Sequence, residues 1–399
     1  MLVEVLSNAT PKGQLPKVLK WLNDNDVLSV LRLVQPAMFV GGAVRDGILG
    51  IDSLDIDIAT CMTAKQAKAA LSPHYKVVPL GEKFGSVKVV LPGGYTVDVT
   101  TLRKDVETDG RRAKIQRVDS WHEDSRRRDF TFNALYCDAG GAVYDYWDGI
   151  DDLARGVVKF IGRPDQRIAE DYLRILRFYR FTALYGGARF DLSALSATKA
   201  AAASLAKLSK ERVAQEMWRI IASPHADTVL RLMADYGVLR HVMPCFSYDR
   251  LCALRQLVFI ETRGLVHPLL APKALRRVAL VDGTSPWILK KCDRDYMKLV
   301  AEKMAVQTSL VRLIFDCGPE LAADIVLLKW SCERGRNDRP DNAKYIAALD
   351  FIAAHPKFDN PAKAADFPDK TGKSLGEALK AATDGWLEQT AKNLGAGDI

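Results

Sequence analysis

Residues 39–60 read FVGGAVRDGILGIDSLDIDIAT: a glycine pair, an Arg-Asp dipeptide, a short amphipathic run and two aspartates one residue apart. As a strand, Asp55-Ile56-Asp57-Ile58 places both carboxylates on one face and both isoleucines on the other, because side chains alternate along an extended chain. The isoleucines bury and the aspartates stand together at an exposed surface. Adjacent carboxylates repel and raise a pKa unless a cation neutralises them. Oxygen donors of this kind suit Mg²⁺, which keeps several waters and shares its coordination with phosphates. The pattern points to metal-assisted phosphoryl or nucleotidyl transfer, although an isolated Asp-x-Asp also suits a turn or a solvated strand face.

A third acid lies further on. In Tyr95-Thr-Val-Asp-Val-Thr-Thr101, Val97 and Val99 alternate inward, so Asp98 shares the other face with Thr96 and Thr100. Three carboxylates on neighbouring strands can hold two Mg²⁺ ions, one activating a hydroxyl and one stabilising charge on a triphosphate and its leaving group. Gly41 and Gly42 follow a short apolar strand, Met38–Val40, and precede a helical run, Val44–Leu49. Glycine lets backbone N–H groups approach phosphates at the positive end of a helix. Arg45 adds a charge-assisted bond to a β- or γ-phosphate.

The rest of the chain gives these motifs a frame. Its 399 residues allow about two or three domains with an ample core, and 48% hydrophobic with 27% charged residues is ordinary globular composition. No apolar run reaches the length of a membrane span, and MLVEVLSNATPKG lacks the regions of a secretory signal. The cysteines, seven in number and without a C-x-x-C pair, read as reduced thiols of a cytoplasmic protein rather than a zinc site. A net charge of +8 leans toward a polyanionic partner.

Periodicity predicts one or two helices over 14–34, with Leu15, Val18, Leu19 and Leu22 on one face and Pro36 as the stop. Thr63 caps a helix to Leu71. Strands follow at Tyr75–Pro79, Ser86–Leu91 and Tyr95–Thr101, with Gly93-Gly94 turning between the last two. Residues 103–128 are rich in Lys and Arg and poor in apolar side chains; they read as a mobile loop with a short strand near Ala113–Val118. Phe130–Cys137 and Ala142–Trp147 complete the sheet. From Gln166 onward the period is helical: Ile168–Tyr185, Leu192–Lys207, Lys210–Ala222, Ala226–Tyr236 and beyond, with loops expected at Gly335–Asp341 and Phe358–Lys373. A mixed first third followed by helices makes an α+β chain of two or more domains, changing character near residue 150.

Two further motifs carry charge. Arg126-Arg-Arg-Asp-Phe-Thr-Phe-Asn133 joins a basic cluster to a strand: either a solvated charge run, or Arg128 on a triphosphate or ribose with Asp129 and Asn133 fixing sugar hydroxyls. In Glu170-Asp-Tyr-Leu-Arg174, extended by Arg177 and Arg180, positions 171, 174, 177 and 180 fall near one helix face. An Asp/Arg pair spaced this way is ordinarily a surface salt bridge worth a few tenths of a kcal/mol.

The ordered set GGAVRD, DIDIAT, VDVTTLR, RRDFTFNAL, YDYWDG and EDYLRILRFYRF resembles the class II tRNA nucleotidyltransferases and the bacterial poly(A) polymerases, with a weaker match at Ser209–Glu216. The resemblance implies a polymerase-β-like nucleotidyltransferase head with a small mixed sheet over 1–150. It then implies an all-α neck with the base reader over 151–240 and a helical, tRNA-binding body and tail over 241–399. The implied reaction is attack of an RNA 3′-hydroxyl on the α-phosphate of CTP or ATP, without a template, by a monomer or homodimer using Mg²⁺. Carried over by motif, Asp55 and Asp57 are metal ligands and Asp98 a third catalytic acid, where many relatives have Glu. Gly42 and Arg45 hold the triphosphate, Arg128 contacts the nucleotide, and Asp171 and Arg174 read the base, supported by Arg177 and Arg180.

That reading has a physical basis. Cytosine and adenine both present an amino donor beside a ring-nitrogen acceptor, whereas guanine and uracil present a carbonyl beside an N–H. A carboxylate next to a guanidinium therefore accepts C and A and leaves G and U mispaired. Between the two family functions, Gly81-Glu-Lys-Phe-Gly-Ser-Val87 is closer to the CCA-adding version than to the arginine-rich segment of poly(A) polymerases. Poly(A) addition is the alternative, and a non-catalytic RNA-binding protein on the same fold a further one. A metal phosphohydrolase domain is set aside because no histidine precedes an aspartate. RNA is expected to be held through its phosphates. The basic segment Arg263–Lys298, with Arg276, Arg277, Lys290 and Lys291, is the candidate tRNA-facing surface, by shape rather than sequence.

Overall fold

The computed structural model describes residues 10–79, 85–108, 113–186, 189–263, 273–281, 290–336, 341–359 and 362–399. The chain divides into two units, Met1–Leu208 and Ser209–Ile399, so that the first unit extends past the expected head.

In the first unit, strands β1 (Gly13–Gln14), β2 (Ala37–Val40), β3 (Ile56–Thr60), β4 (Lys76–Pro79), β5 (Ser86–Val90), β6 (Thr96–Thr101), β7 (Arg103–Thr108), β8 (Ala113–Arg117), β9 (Leu135–Cys137) and β10 (Ala142–Asp145) are accompanied by helices, with β4 to β8 following one another directly. The helices are α1 (Asn25–Leu33), α2 (Gly42–Ile48), α3 (Ala64–Leu71), α4 (Trp121–Arg126), α5 (Gly149–Ala154), α6 (Pro164–Glu170), α7 (Leu173–Tyr185) and α8 (Leu192–Ala201). The main sheet runs β1-β10-β9-β2-β3-β6-β5-β4. It is mixed: β3 and β6 are parallel and the remaining neighbours antiparallel.

Alternation sets the two faces. Phe39, Ile56, Ile58, Val87, Val89, Val97 and Val99 are buried on one side, which α1 and α3 cover. Burying each such side chain contributes about 1.5–3 kcal/mol, and a one-residue slip of β3 would send Asp57 into that core. On the other side Met38, Val40, Ala59 and Tyr136 pack with Leu102, Val118 and Trp121. α3 begins at the expected cap: Thr63 Oγ1 accepts from Gln66 N, and Gln66 Oε1 accepts from Thr63 N. Phe178 and Phe181 of α7 pack against Phe160 and Phe130.

Several expected elements differ. Over 14–34 the α-helix covers only Asn25–Leu33, capped by Asp24; Leu15, Leu19 and Leu22 are buried, but Val18 is 81% exposed, because the chain before Trp21 is not helical. In the charged stretch 103–128 the short strand expected near Ala113–Val118 is present as β8, but it pairs with β7 in an antiparallel ribbon rather than lying in a loop; residues 109–112 lie outside the described residues, and α4 follows, capped by Ser120. A ribbon can pair its backbone without a core face, so it leaves no apolar periodicity. Phe130–Cys137 opens with a 3₁₀ turn, Thr131–Asn133, before β9. The single helix expected over Ile168–Tyr185 is two, because Asp171 is extended (φ −155°, ψ 109°) and its side chain accepts from Leu173 N.

The second unit is helical: α9 (Lys210–Ala222), α10 (Ala226–Asp235), α11 (Tyr248–Arg263), α12 (Ala274–Val281), α13 (Lys291–Met304), α14 (Leu310–Arg336), α15 (Asn342–Ala354) and α16 (Gly372–Leu394). α14 is broken at Gly318, whose φ of +76° precedes Pro319. Of the expected loop at Gly335–Asp341, residues 335 and 336 finish α14 and Asp341 caps α15; 337–340 lie outside the described residues. Of Phe358–Lys373, residues 360 and 361 lie outside the described residues, and the rest is irregular apart from a 3₁₀ turn, Ala364–Asp366, and the start of α16. No helix among the described residues is long and apolar enough to cross a membrane.

Candidate nucleotidyl-transfer site

Asp57 and Asp98 are direct neighbours across the parallel pair β3/β6, so their side chains share a face. Asp55 is exposed and precedes the first residue of β3 rather than lying within it. Burial pushes the Asp57 carboxyl up to about 6; Asp55 and Asp98 push the same way, and Arg128 and Lys88 pull against them. Asp98 is ion-paired with Lys88, its register partner on β5. Lys88 was legible in the alternation of Ser86-Val-Lys-Val-Val90, which places it on the carboxylate face, but no motif drew notice to it.

Gly41 lies against this cluster. Its φ of +77° and ψ of −126° suit glycine alone, and a methyl group there would sit 3.3 Å from Arg128 Nη1 and 3.9 Å from Asp57 Oδ2. Gly42 begins α2. Arg45, expected on the phosphates, is instead buried and spent within the protein. Its Nε and Nη2 donate to Asp46 at 2.9 and 3.0 Å, and its Nη1 donates to Asn133 Oδ1 at 2.6 Å. Its guanidinium stacks over Tyr185. Asn133 in turn donates to Asp129 Oδ1 at 2.9 Å, and Asp129 Oδ2 accepts from Arg177 at 2.6 Å. Burial alone would raise Asp129; Arg177, Asn133 and the Phe130 N–H hold it below its ordinary value. Asp129 and Asn133 are thus buried and committed to protein partners rather than open to a sugar. Tyr185 closes the circuit by donating to Asp46 at 2.8 Å, so α7 is pinned at both Arg177 and Tyr185.

A second cluster surrounds Arg128. Asp124, fully buried, accepts from Arg127 Nε (3.0 Å), Arg128 Nη2 (3.4 Å), Tyr136 Oη (2.7 Å) and Arg103 N (3.1 Å). Burial works to raise its carboxyl, but the two guanidiniums and these hydrogen bonds hold it at about 2. Glu170 accepts from Arg167 and Arg174, each at 2.5 Å. Arg167 also donates to the carbonyls of Arg127 and Arg128, and Arg174 to those of Arg167 and Arg127. Five guanidiniums (127, 128, 167, 174, 177) therefore share the carboxylates of Asp124, Asp129 and Glu170, an excess that suits an anion. Arg128 Nε is buried without a hydrogen-bond partner among the described residues. Arg180 is buried over the Phe181 ring. Sequence reasoning passed over Asp124 and Arg167, since an acid or base inside a dense charge run gives no sign of being buried.

The donor set fits a hard divalent cation in part. Asp55 and Asp57 offer carboxylate oxygens, and a cation would favour the ionised form of the Asp57 carboxyl, which burial chiefly, with Asp55 and Asp98 adding to it, holds up. Among the described residues no three His, Cys, Asp or Glu side chains are grouped to hold a metal; Asp98 is engaged by Lys88 instead.

The expected RNA-facing arginines need correction. Arg276 and Arg277 are 3% and 1% exposed. Arg276 pairs with Glu261 and Asp324, and Arg277 with Glu261 and the carbonyls of Ile221 and Ser223. Buried and paired guanidiniums hold helices together and cannot meet a phosphate; a run of basic residues in sequence does not reveal this. Lys290 and Lys291 are exposed. Gly81–Phe84 of the segment that separates the two family functions lie outside the described residues.

Comparison with known proteins bears on the family and the fold. The family described as "Poly A polymerase head domain" matches residues 37–159, and "Probable RNA and SrmB- binding site of polymerase A" matches 189–249. The chain is 38% identical over 209 residues to the mouse mitochondrial CCA tRNA nucleotidyltransferase 1, covering 51% of this chain and 47% of that protein. It thus spans about half the length of that relative. It is 31% identical over 373 residues to the CCA-adding enzyme of Streptococcus pyogenes serotype M3, covering 86% of this chain and 87% of that one. The crystal structure of the Bacillus stearothermophilus CCA-adding enzyme in complex with CTP shares the fold, with a TM-score of 0.68 and 24% identity over 92% of this chain and 97% of that one. With an eight-stranded mixed sheet in its first unit and a match of 31% identity over 86% of its length and 87% of the relative's, the chain belongs to the family of CCA-adding enzymes.

Proposed function

We propose that the chain adds C, C and A to the 3′ end of tRNA from CTP and ATP, without a template. The observation that carries this is the register placing Asp57 beside Asp98, with Gly41 and Arg128 against the Asp57 carboxylate. In the reaction the RNA 3′-oxygen bonds the α-phosphorus and loses its proton, and the bridging P–O bond to the β-phosphate breaks, its electron pair leaving with pyrophosphate. Asp55 and Asp57 would hold a divalent cation, Mg²⁺ by the hardness of its donors, which when bound activates the hydroxyl and neutralises phosphate charge.

The chain's own residues bind and orient. Gly41 and Gly42 bring backbone against the triphosphate, and Arg128, whose side chain stays partly exposed, offers its guanidinium to a phosphate or ribose oxygen. Asp171 and Arg174 meet the Watson–Crick edge, Arg174 being held ready by Glu170 and the carbonyls of Arg167 and Arg127. Arg45, Asp129 and Asn133 brace Arg177 and α7. The tRNA would be held by its backbone, with Lys290 and Lys291 on the exposed side of the second unit. Incubation with tRNA lacking its last three nucleotides, plus CTP and ATP, tests the reading. Ordered C, C and A followed by arrest supports it, and long A tails overturn it.

A further inference from the structure

Tyr136, Val40, Asp57, Asp98 and Lys88 stand in one row across β9, β2, β3, β6 and β5, each directly opposite the next. With strands about 4.8 Å apart, the Lys88 backbone is about 10 Å from that of Asp57 and half as far from that of Asp98. The ammonium pairs with Asp98 Oδ1 and lies 3.5 Å from Thr96 Oγ1. The Lys88 and Asp98 side chains are only 31% and 26% exposed. Two residues earlier on the same face, Ser86 meets Thr100 at 3.0 Å, so within the β5/β6 pair the lysine stands opposite the carboxylate while the neighbouring position holds hydroxyls.

We infer that Lys88 is a resident cation of the site: it holds Asp98 in the nucleotide-free chain, leaves Asp55 and Asp57 to take a single divalent ion, and must release Asp98 before a second ion binds there. This rests on the metal role proposed for Asp55 and Asp57. A tethered ammonium is present at high effective concentration, and it competes with a divalent ion that gives up its water reluctantly. Incoming triphosphate brings negative charge that draws a second cation to the site and shifts the balance. Lys88 therefore ties occupancy at Asp98 to the arrival of substrate.

Mn²⁺ titration of the nucleotide-free, full-length chain, followed by electron paramagnetic resonance, reads this without turnover. The wild type and Lys88→Arg should bind one ion. Lys88→Met should gain a second, at least tenfold tighter than any second site in the wild type, and Lys88→Met/Asp98→Asn should lose it again. Equal titrations of wild type and Lys88→Met overturn the inference, as does a gained site that survives in the double variant. Asp57→Asn separates the underlying reading: if it binds Mn²⁺ like the wild type while Lys88→Met still gains an ion, the assignment to Asp57 fails and the role of Lys88 stands.

Discussion

Replacing Asp124 by Asn should be the most damaging conservative change in the first unit. The side chain is fully buried and takes hydrogen bonds from two arginines, Tyr136 and the Arg103 N–H. Asparagine preserves the shape but leaves Arg127 and Arg128 without their shared counter-charge. Its carboxyl is held at about 2 against an ordinary 3.8. By linkage that difference contributes about 2.5 kcal/mol at neutral pH. Breaking a buried pair by removing one partner costs about 3–5 kcal/mol, so a loss of about 3 kcal/mol at pH 7 is expected. The sign follows from the depressed value: the contribution is complete above about pH 4 and is lost as pH falls through about 2, with about half gone at pH 3. Urea-dependent hydrogen exchange of peptides across β7, α4 and β9 isolates this region from the second unit. A difference below about 1 kcal/mol at pH 7, or one that does not shrink toward pH 3, would refute the account of Asp124 as the electrostatic anchor of Arg128.

Asp57 should behave oppositely. Its carboxyl lies above its unfolded value, at about 6, so in the metal-free chain it costs stability that is absent below about pH 4 and complete above about pH 6. Asp57→Asn should therefore stabilise the metal-free first unit at pH 8 by up to about 3 kcal/mol and leave it unchanged at pH 4; an identical denaturation midpoint at pH 8 counts against this. Asp171→Ala should raise incorporation of UTP and GTP relative to CTP and ATP by about tenfold or more, with metal binding preserved; unchanged discrimination removes Asp171 from the base-reading role. Arg277→Ala should destabilise α11 and α12 by about 3–5 kcal/mol in hydrogen exchange while leaving the salt dependence of tRNA affinity unaltered. A slope shallower by about one would restore the phosphate-contact reading.

The carboxylate face of the sheet was legible because strand alternation is a strict code. Ile56 and Ile58 had to bury, Asp57 and Asp98 had to share the opposite side, and both followed from period two in short sequences. The fold class followed from the change of periodicity near residue 150. The partners of the charged residues were not legible. Arg45 and Arg128 look alike in sequence, yet one is satisfied by Asp46 and Asn133 while the other keeps an unpartnered buried Nε. That difference arises from contacts across 88 residues of chain. The same holds for Arg276 and Arg277, whose acids lie on α11 and α14. Nor does periodicity register the break at Asp171, because one extended residue interrupts a helical pattern that is otherwise continuous.

The circuit from Arg177 through Asp129, Asn133, Arg45 and Asp46 to Tyr185 joins the second turn and the last residue of α7 to the segment that carries the glycine pair. A helix fixed at two points moves as a lever, not as two independent side chains. On the proposed base reading by Asp171 and Arg174, a base that fits badly there would tilt the whole rod and carry the glycine segment with it. On that proposal, fidelity would be enforced on the rate of the chemical step more than on occupancy, since an ill-fitting nucleotide could dwell in the site and still fail to react.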